Sequence, residues 1–567
     1  MYHLETLGEV IETDVLILGG GVAGAFAGLA AREVDEHLSI TVVDKGAVER
    51  SGAAASGLDH MRGIFPNKPG DELDRNQVEA FVQAFVDHAE GMCDPDLLRI
   101  IACETADRMF YLEKFGLPIH DKNGQLVKVK GAGLPFPAVL SFEGKDFKPI
   151  LARALRERRV SVANRTMSVD LLVEDGKAAG AIGLDTRTGK FRIFVAKAAV
   201  LATGVVSRLY LPPTGLRYNT WMCPYTTGDG HAIAYRAGAE LVGLEFPVAN
   251  AVPKDFSIPG WGGFVGVGAY LINALGERFM ERYNPRLLEG APRQDCVFAI
   301  LNEVREGRGP CYLDFRHLST DKRDLFIRGL LNEKPTALAY FAQRDIDLSR
   351  DPLEVEITEP YGYNGGVCGA LIDAEARTSV PGLFAAGDAA GGVGYCAAST
   401  AVVFGWRAGL GAARHAVDSI RKVPSVATVS LAKDEVVAPS RRSVGISPGE
   451  VEDKLQRIMS DYVGLSRSEN GLKTALIRLG KLRERIPEMA ATDAHELIQA
   501  QEVKNLILVG EMMARAALTR TESRWYHRRS DFPARDDANW LKHVVVRNDG
   551  GEMKLTTRPV KARPASH

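Results

Sequence analysis

The chain lacks the features of membrane-anchored, disulfide-rich and metal-cluster proteins. Its 567 residues contain no run of about 18 or more apolar residues, so we expect no membrane insertion. The seven cysteines are dispersed and none forms a C-x-x-C pair, so no metal or cluster site is predicted and a reducing cytoplasm is favoured over a disulfide framework. The acidic N-terminal segment MYHLETLGEVIETD lacks the apolar core of a signal peptide, and we expect a cytoplasmic protein.

The chain also lacks a large excess of positive or negative charge. The formal net charge is −2, which argues against a nucleic-acid or anionic-membrane partner. Apolar residues make up 46% and charged residues 25%, as in ordinary globular domains. A length of 567 residues suggests about two to four domains. Only the basic tail KLTTRPVKARPASH is expected to be disordered.

The strongest motif lies within residues 11–57. A short apolar run meets Gly19-x-Gly21-x-x-Gly24, a helix of small residues follows, and a second apolar run ends at Asp44, about twenty residues later. This is the pattern of a dinucleotide-binding βαβ unit. The three glycines would permit, in order, the tight turn, the approach of backbone to a pyrophosphate, and close packing of helix on strand. Asp44 would accept hydrogen bonds from a ribose.

Two later segments indicate which dinucleotide is bound. An apolar strand runs into Thr203-Gly204, and the segment VPGLFAAGD ends at Gly387-Asp388. With the first motif, these segments resemble the landmarks of the two-dinucleotide-binding-domain flavoproteins, which hold FAD. In that family the late Gly-Asp places its carboxylate on the ribityl chain, a role that would fall to Asp388. No second G-x-G-x-x-G is framed by strand and helix, so a nicotinamide domain is not expected.

The remaining patterns indicate the domain organisation of an α/β protein. A helix is predicted over 95–117, and a helix from about 148 is followed by strands joined by an Asp175-Gly176 hairpin. The segment 240–355 is rich in Gly, Pro and aromatics, which suggests an inserted domain. A capping box at Ser447-Pro448-Gly449-Glu450 and a helix start at Thr492 predict a helical C-terminal region. The predicted boundaries are 1–235 and 361–430 for the FAD-binding domain, 236–360 for an α+β capping domain, and 431–567 for the helical C-terminal domain with its tail.

Many segments together resemble the fumarate reductase/succinate dehydrogenase flavoprotein family. They include GGGVAG, TVVDKG, SGAAASG, LATG, TTGDGHAIAYRAGAEL, LINALGERFMERYNP, LFAAGDAAGG and ESRWYHRRSDFPARDDANWLKH. AVERSGA, EKFGLPI and the Arg-rich C-terminus are most similar to the flavin subunit of adenylylsulfate reductase. The resemblance implies an FAD-dependent dehydrogenase or reductase. The residues that we expect to bind FAD are Gly19, Gly21, Gly24, Asp44, Lys45, Arg50, Ser51, Gly52, Ala54, Thr203, Gly204, Asp229, Gly387, Asp388, Ser399 and Thr400.

The departures from the family pattern bear on the chemistry. Dicarboxylate enzymes of the family carry a histidine, often bonded covalently to FAD, where this chain has Gly52, so noncovalent FAD is implied. A substrate-binding histidine is replaced by Tyr361, and an arginine after the Gly-Asp strand is missing, with Tyr395 and Cys396 nearby. Because carboxylates need cationic partners, this predicts a neutral, tyrosine-rich pocket and argues against succinate or fumarate.

A few candidates keep two interpretations. Arg293 lies where the family carries its proton-donating arginine, or is a surface residue at a helix start. Trp221 would stack on substrate or flavin, or pack in the core. His60 and Arg62 would face the pocket or solvent. Arg524 would be the inward arginine of a C-terminal segment that reaches the flavin domain or an iron–sulfur subunit.

Three functions follow from these patterns. The first is hydride transfer between noncovalent FAD and an organic or sulfur-containing small molecule, with Arg293, Tyr361, Tyr395 and Trp221 at the substrate. Electrons would be exchanged with a separate ferredoxin-type iron–sulfur subunit, because the chain has neither cluster motif nor nicotinamide domain. The second is adenylylsulfate reductase, acting on sulfite and AMP. The third is a non-catalytic electron-transfer component. Whether the chain forms a homo- or hetero-oligomer is left open.

Overall fold

The computed structural model describes residues 3–130, 136–256, 266–333, 336–360 and 366–561. The strands are β1 (Glu9–Glu12), β2 (Val15–Leu18), β3 (Ile40–Val43), β4 (His60–Arg62), β5 (Val127–Lys130), β6 (Pro137–Ser141), β7 (Ser161–Ala163), β8 (Thr166–Glu174), β9 (Lys177–Asp185), β10 (Phe191–Val195), β11 (Ala198–Leu201), β12 (Leu241–Val242), β13 (Ala251–Pro253), β14 (Tyr270–Ile272), β15 (Cys311–Asp314), β16 (Leu353–Ile357), β17 (Gly369–Leu371), β18 (Leu383–Ala385), β19 (Ala390–Gly391), β20 (Ser466–Arg467), β21 (Arg528–Arg529), β22 (Lys542–Asp549) and β23 (Glu552–Pro559).

The α-helices are α1 (Val22–Val34), α2 (Arg75–His88), α3 (Pro95–Glu113), α4 (Phe147–Glu157), α5 (Asp229–Arg236), α6 (Met280–Tyr283), α7 (Arg293–Arg305), α8 (Thr320–Glu333), α9 (Thr336–Gln343), α10 (Ala398–Val417), α11 (Val426–Val437), α12 (Pro448–Tyr462), α13 (Glu469–Glu484), α14 (Ala494–Thr519) and α15 (Asp537–Trp540). Single 3-10 turns cover Leu288–Gly290, Gly387–Ala389, Ala438–Arg441 and Ile486–Glu488. Within the described ranges, no helix has both the length and the apolar character needed to cross a bilayer.

A parallel sheet in the order β18-β11-β2-β3-β7 forms the centre of the molecule. Every residue of β2 and β11 is buried, as expected for continuous apolar strands covered on both faces. Helices α1 and α10 pack closely on this sheet. The contact requires glycine at residue 409, because a Cβ there would lie only 2.1 Å from the Ala27 carbonyl oxygen. The sheet therefore brings the first motif, the Thr203 turn and the late Gly-Asp turn to one edge.

The antiparallel sheet β1-β10-β9-β8 contains the predicted hairpin. Asp175 and Gly176 both have positive φ, of 50° and 71°, between the paired residues Glu174 and Lys177. Helix α3 ends at Glu113, and the chain then turns through Gly116, which also has a positive φ, of 91°. Both local signals therefore predicted the correct elements, with only small differences at the boundaries.

The inserted segment builds its own sheet and core. Strands β13, β16, β15 and β14 pair antiparallel in that order, and the helices α7, α8 and α9 accompany them. Its apolar side chains, among them Leu271, Phe279 and Leu313, form a cluster distinct from the central core. This agrees with the change in composition seen over 240–355.

The C-terminal region is helical, but its tail is not wholly disordered. Ser447 accepts a hydrogen bond from the Glu450 amide at 3.2 Å and begins α12, and Asp493 caps the long helix α14. The expectation of disorder over residues 554–567 is wrong for residues 554–559, which lie in β23 and pair with residues 542–547 of β22. The buried residues Val544 and Val546 anchor β22 against β12, and this tertiary support compensates for the weak apolar pattern of the last strand.

Candidate active site

One large cavity, of about 1280 Å³, opens at the carboxyl edge of the central sheet. In open α/β sheets this edge is where ligands bind. Its wall combines three parts of the chain: the turns after β2, β3, β11 and β18; residues of the inserted domain such as Val267 and Phe326; and residues of α14 such as Gln499 and Glu502. The cavity therefore lies where all three regions meet.

The first glycine motif forms a tight turn that only glycine fits at two of its three positions. Gly19 has a φ of 110°, and a Cβ there would lie 2.3 Å from the Ala202 carbonyl oxygen. A Cβ on Gly24 would lie 1.8 Å from the Gly19 carbonyl oxygen, so only glycine allows α1 to approach the turn. A Cβ on Gly21 would have a single neighbour, at 4.0 Å, and this residue lines the cavity. Gly21 is the N-cap of α1, where unpaired amides favour a phosphate.

We predict that Gly24→Ala removes FAD binding. The new methyl group would overlap the Gly19 carbonyl, so the turn must open and lose its phosphate-binding shape. The ratio of flavin to protein absorbance in the purified variant measures the loss. Gly480→Ala in α13 is the matched control, because its Cβ would meet nothing within 4 Å and alanine favours the helix. A Gly24→Ala protein that retains normal FAD content would contradict the assignment of this turn.

Asp44 holds the turn as well as lining the cavity. Its Oδ2 accepts hydrogen bonds from the Gly20 amide at 2.9 Å and the Ser51 hydroxyl at 2.7 Å, and its Oδ1 accepts one from the Gly46 amide at 2.7 Å. The side chain is 4% exposed. The carboxylate therefore couples the glycine turn to the loop of Ser51, and a bound ribose would have to share it.

The loop after β3 supplies further cavity residues. Arg50, Ser51, Gly52 and Ala54 all line the cavity. Gly52 has a φ of 76°, a conformation that disfavours side chains other than glycine. The backbone at residue 52 therefore suits glycine better than a residue with a side chain.

A buried charge cluster joins the glycine-turn region to α14. The Lys45 Nζ lies 2.7 Å from Asp229 Oδ2 and 2.9 Å from Glu502 Oε1. Asn505 donates to Asp229 Oδ1 at 2.8 Å. Burial alone would lower the pKa of Lys45, but the two carboxylates outweigh it and the net shift is upward. The predicted cofactor residues Lys45 and Asp229 line the cavity, and so does Glu502 of α14, which the sequence did not indicate.

The other predicted cofactor residues divide into two groups. Thr203, Gly204, Gly387, Asp388 and Ser399 line the cavity, and the Thr203 hydroxyl accepts a hydrogen bond from the Gly230 amide at 3.0 Å. Gly24 and Thr400 are buried but are not among the cavity-lining residues. Their contribution is to packing behind the wall.

Two arginines contact Tyr395 in the wall of the cavity, and we call this region the cationic end. The Arg293 guanidinium donates to the Tyr395 hydroxyl and lies 5.4 Å from its ring centroid. The Arg62 Nη1 donates to the Tyr395 carbonyl at 3.2 Å, and its guanidinium lies 5.7 Å from the ring centroid. All three residues line the cavity. The sequence predicted a neutral pocket, and that expectation is wrong because Arg62 comes from a distant strand to join Arg293.

The local secondary structure explains why Arg62 and Arg293 both face the cavity. Arg62 and His60 alternate with the buried Met61 on β4, so both point to the cavity side. Arg293 is the first residue of α7, directly after Pro292. It faces the cavity and is half-buried, which excludes the interpretation as a surface residue.

Two histidines, His88 and His60, lie near the arginine pair. His88 stacks on Tyr395 with the ring centroids 5.4 Å apart. Burial lowers the pKa of His88 to about 3, with Arg293 and Arg62 acting in the same direction, so this imidazole is neutral. The His60 Nδ1 lies 2.6 Å from Asp59 Oδ1, and both residues line the cavity. The arrangement is therefore a cationic end with a neutral imidazole and a His–Asp pair beside it.

Trp221 lies at the cavity wall and is held through its backbone. Its amide donates to Glu359 Oε1 at 2.7 Å, and Glu359 is only 5% exposed. Burial raises the pKa of Glu359 to about 7. Tyr361, the fourth predicted catalytic residue, lies outside the described residues.

Arg524 is fully buried, as the sequence indicated. Its guanidinium pairs with Glu522 and Asp537 and donates to the Glu90 carbonyl, which lies just beyond the end of α2. Trp525 follows it and meets the edge of the Tyr395 ring at 5.9 Å between centroids. The C-terminal segment therefore supports the cationic end of the cavity from behind.

Sequence comparison assigns the class. Residues 14–402 match the family described as "FAD binding domain", and residues 452–566 match "Fumarate reductase flavoprotein C-term". The glycine turn, the acidic residue after β3 and the large cavity at the sheet edge suit a dinucleotide, so the protein is an FAD-dependent oxidoreductase.

The chain belongs to the fumarate reductase/succinate dehydrogenase flavoprotein family. The fumarate reductase (CoM/CoB) of Methanothermobacter marburgensis has one subunit that is 32% identical over 95% of this chain and 97% of its own length. Adenylylsulfate reductase of Archaeoglobus fulgidus superposes with a TM-score of 0.89 at 26% identity, over 98% of this chain and 97% of that one. An adenosine-5-phosphosulfate reductase in complex with sulfite as a covalent adduct gives 0.89 at 27%, with the same coverage.

Proposed function

We propose that this protein transfers a hydride between noncovalent FAD and a small anionic substrate, organic or sulfur-containing. The observation that carries the proposal is that the guanidinium groups of Arg62 and Arg293 both contact Tyr395, in the wall of the cavity that also contains the glycine turn. Guanidinium forks are suited to carboxylates and other oxyanions. Bound FAD supplies the hydride acceptor or donor.

The chain's own residues have distinct roles in this proposal. Arg62 and Arg293 bind the negative charge of the substrate, and the Tyr395 hydroxyl keeps Arg293 in position. The Asp59–His60 pair is suited to exchange a proton at the imidazole, since the carboxylate orients the ring through Nδ1. The neutral imidazole of His88 packs behind Tyr395 without adding charge. Trp221 forms part of the cavity wall.

Noncovalent attachment is supported by the flavin loop. Gly52, which the family resemblance aligns with the linking histidine, cannot form that link, and it has a left-handed backbone conformation. We therefore expect acid precipitation to leave all the FAD in the supernatant, with no flavin fluorescence on the denatured chain.

Two observations support the proposal of a separate electron partner. Among the described residues no group of His, Cys, Asp and Glu side chains could hold a metal ion. The similar protein of Methanothermobacter marburgensis is named as one subunit of a larger enzyme. We propose that the partner of this flavoprotein is a ferredoxin-type iron–sulfur subunit, and that the two meet in the cytoplasm.

Adenylylsulfate reductase activity is the second candidate. Two solved reductases of this kind superpose closely over nearly the whole chain, and the cationic end of the cavity suits an anionic nucleotide or sulfite better than the neutral pocket expected from sequence. A non-catalytic electron-transfer role is the third, and it requires that no small molecule exchange electrons with the flavin.

An anaerobic titration of the flavin absorbance separates the three candidates. Oxidised protein is mixed with sulfite plus AMP, succinate and a panel of other small organic and sulfur-containing acids, and reduced protein with the corresponding oxidised compounds. Bleaching by sulfite plus AMP supports the second candidate. Bleaching or reoxidation by another anion supports the first and identifies the substrate class. A flavin that responds only to dithionite contradicts both and supports the electron-transfer role.

A further inference from the structure

A buried lysine lies beneath the glycine turn. Lys148, the second residue of α4, has no exposed surface, and its Nζ donates to the Gly20 carbonyl at 2.5 Å. Burying an ammonium group without need is costly, so this contact has to be explained. The side chain is not among those lining the cavity.

The Gly20 backbone is held on both sides. Its amide donates to Asp44 Oδ2 at 2.9 Å, and its carbonyl accepts from Lys148. In a trans peptide the carbonyl and the following amide point in opposite directions. Because the Gly20 carbonyl points inward to Lys148, the Gly21 amide points outward, and Gly20 and Gly21 both line the cavity.

We propose that Lys148 is a positioning residue that fixes the Gly20–Gly21 peptide so that the Gly21 amide donates to the pyrophosphate of FAD. Without this cation the peptide can rotate and present a carbonyl oxygen to the phosphate, which repels it. The proposal rests on FAD binding, which the family establishes, and does not depend on the substrate.

The charge of Lys148 adds a readout that a purely structural role would not move. Burial lowers the pKa of Lys148 to about 8, while Asp44 after β3 and Glu49 in the following loop act in the opposite direction. A bound pyrophosphate favours the charged ammonium. FAD affinity should therefore be full below about pH 8 and fall above it, by up to about tenfold per pH unit for one linked proton.

The experiment measures FAD affinity of the apoprotein by quenching of flavin fluorescence between about pH 6.5 and 9.5. We expect Lys148→Met to weaken binding about 10- to 100-fold at pH 7, as for a lost hydrogen bond to a charged group, and to flatten the pH profile. Lys148→Arg keeps a permanent charge, so its profile should stay flat while its affinity stays close to that of the wild type. Lys145→Met, at an exposed position in the same segment, is the matched control and should match the wild type.

Two results would overturn the proposal. One is a folded Lys148→Met protein, verified by circular dichroism, that binds FAD as tightly as the wild type. If Lys148→Met does not fold, the wild-type profile decides: affinity that is constant across the whole pH range excludes a role for the ammonium charge, and affinity that falls above about pH 8 supports it.

Discussion

We expect Arg293→Met to slow flavin reduction by the substrate about 100- to 1000-fold while FAD content stays unchanged. The reason is that the variant loses a fixed, charged hydrogen-bond donor that is aimed into the cavity, and preorganised donors of this kind stabilise charge in the transition state. Arg293 donates to Tyr395 and lines the cavity, but it is not on the glycine turn that holds the cofactor. Stopped-flow absorbance with whichever compound bleaches the wild type measures the rate.

The control for this variant lies on the same helix. Arg305→Met changes an exposed residue in the last turn of α7 and should leave the rate unchanged. Arg62→Met should slow reduction as Arg293→Met does. A wild-type rate in Arg293→Met would show that the arginine pair does not bind the substrate, and loss of FAD in this variant would place Arg293 in the cofactor site instead.

We expect Arg208→Met to destabilise the protein by about 3–5 kcal/mol, because it removes the cation paired with the buried Glu452 and one of the two cations paired with the buried Glu502. The Arg208 guanidinium has no exposed surface; it pairs with Glu452 at 2.8 and 2.9 Å and with Glu502 at 2.8 Å. Glu502 also binds Lys45 in the cavity wall, so FAD affinity should fall as well. Chemical denaturation midpoints and FAD affinity are the measurements.

The pH dependence of this variant has a definite sign. Burial would raise the pKa of Glu502, but Lys45 and Arg208 outweigh it and the net shift is downward. A carboxyl group with a lowered pKa contributes stability at neutral pH and loses it as the pH falls through the lowered value. The difference in free energy of unfolding between the wild type and Arg208→Met should therefore become smaller as the pH falls.

Arg217→Met is the control for this variant. It breaks a partly exposed ion pair with Asp453, and it should lower the free energy of unfolding by less than about 1 kcal/mol. Equal effects of the two variants would contradict the buried-cluster account.

Short sequence motifs were sufficient to predict several elements of the fold. The glycine motif, the Asp175-Gly176 hairpin and the Ser447 cap each depend on a few neighbouring residues, and the backbone conformations in the structure satisfy them directly. The end of the chain shows the limit. The strand β23 has few apolar residues and exists because β22, itself anchored on β12, provides its hydrogen-bond partners.

The sequence placed Arg293 and Tyr395 together but did not predict that Arg62 joins them, because these residues are far apart in sequence. Arg62 and Arg293 both donate hydrogen bonds to Tyr395, which follows the late Gly-Asp turn. The alternation His60-x-Arg62 was a usable signal for a shared face, but the sequence did not indicate which face met the cavity. Lys148 offered no signal at all, since a lysine early in an amphipathic helix is normally exposed.

The most direct test of the cationic substrate pocket uses an anion that cannot react. Malonate is titrated into the FAD-loaded protein at constant ionic strength, and the visible difference spectrum of the flavin is recorded. We predict a saturable perturbation in the wild type and an affinity at least about tenfold lower in the Arg62→Met/Arg293→Met double variant, because each lost charge-assisted contact is worth more than about 1.4 kcal/mol. A perturbation of the same affinity in the double variant, or none with malonate, AMP or sulfite, would contradict the assignment.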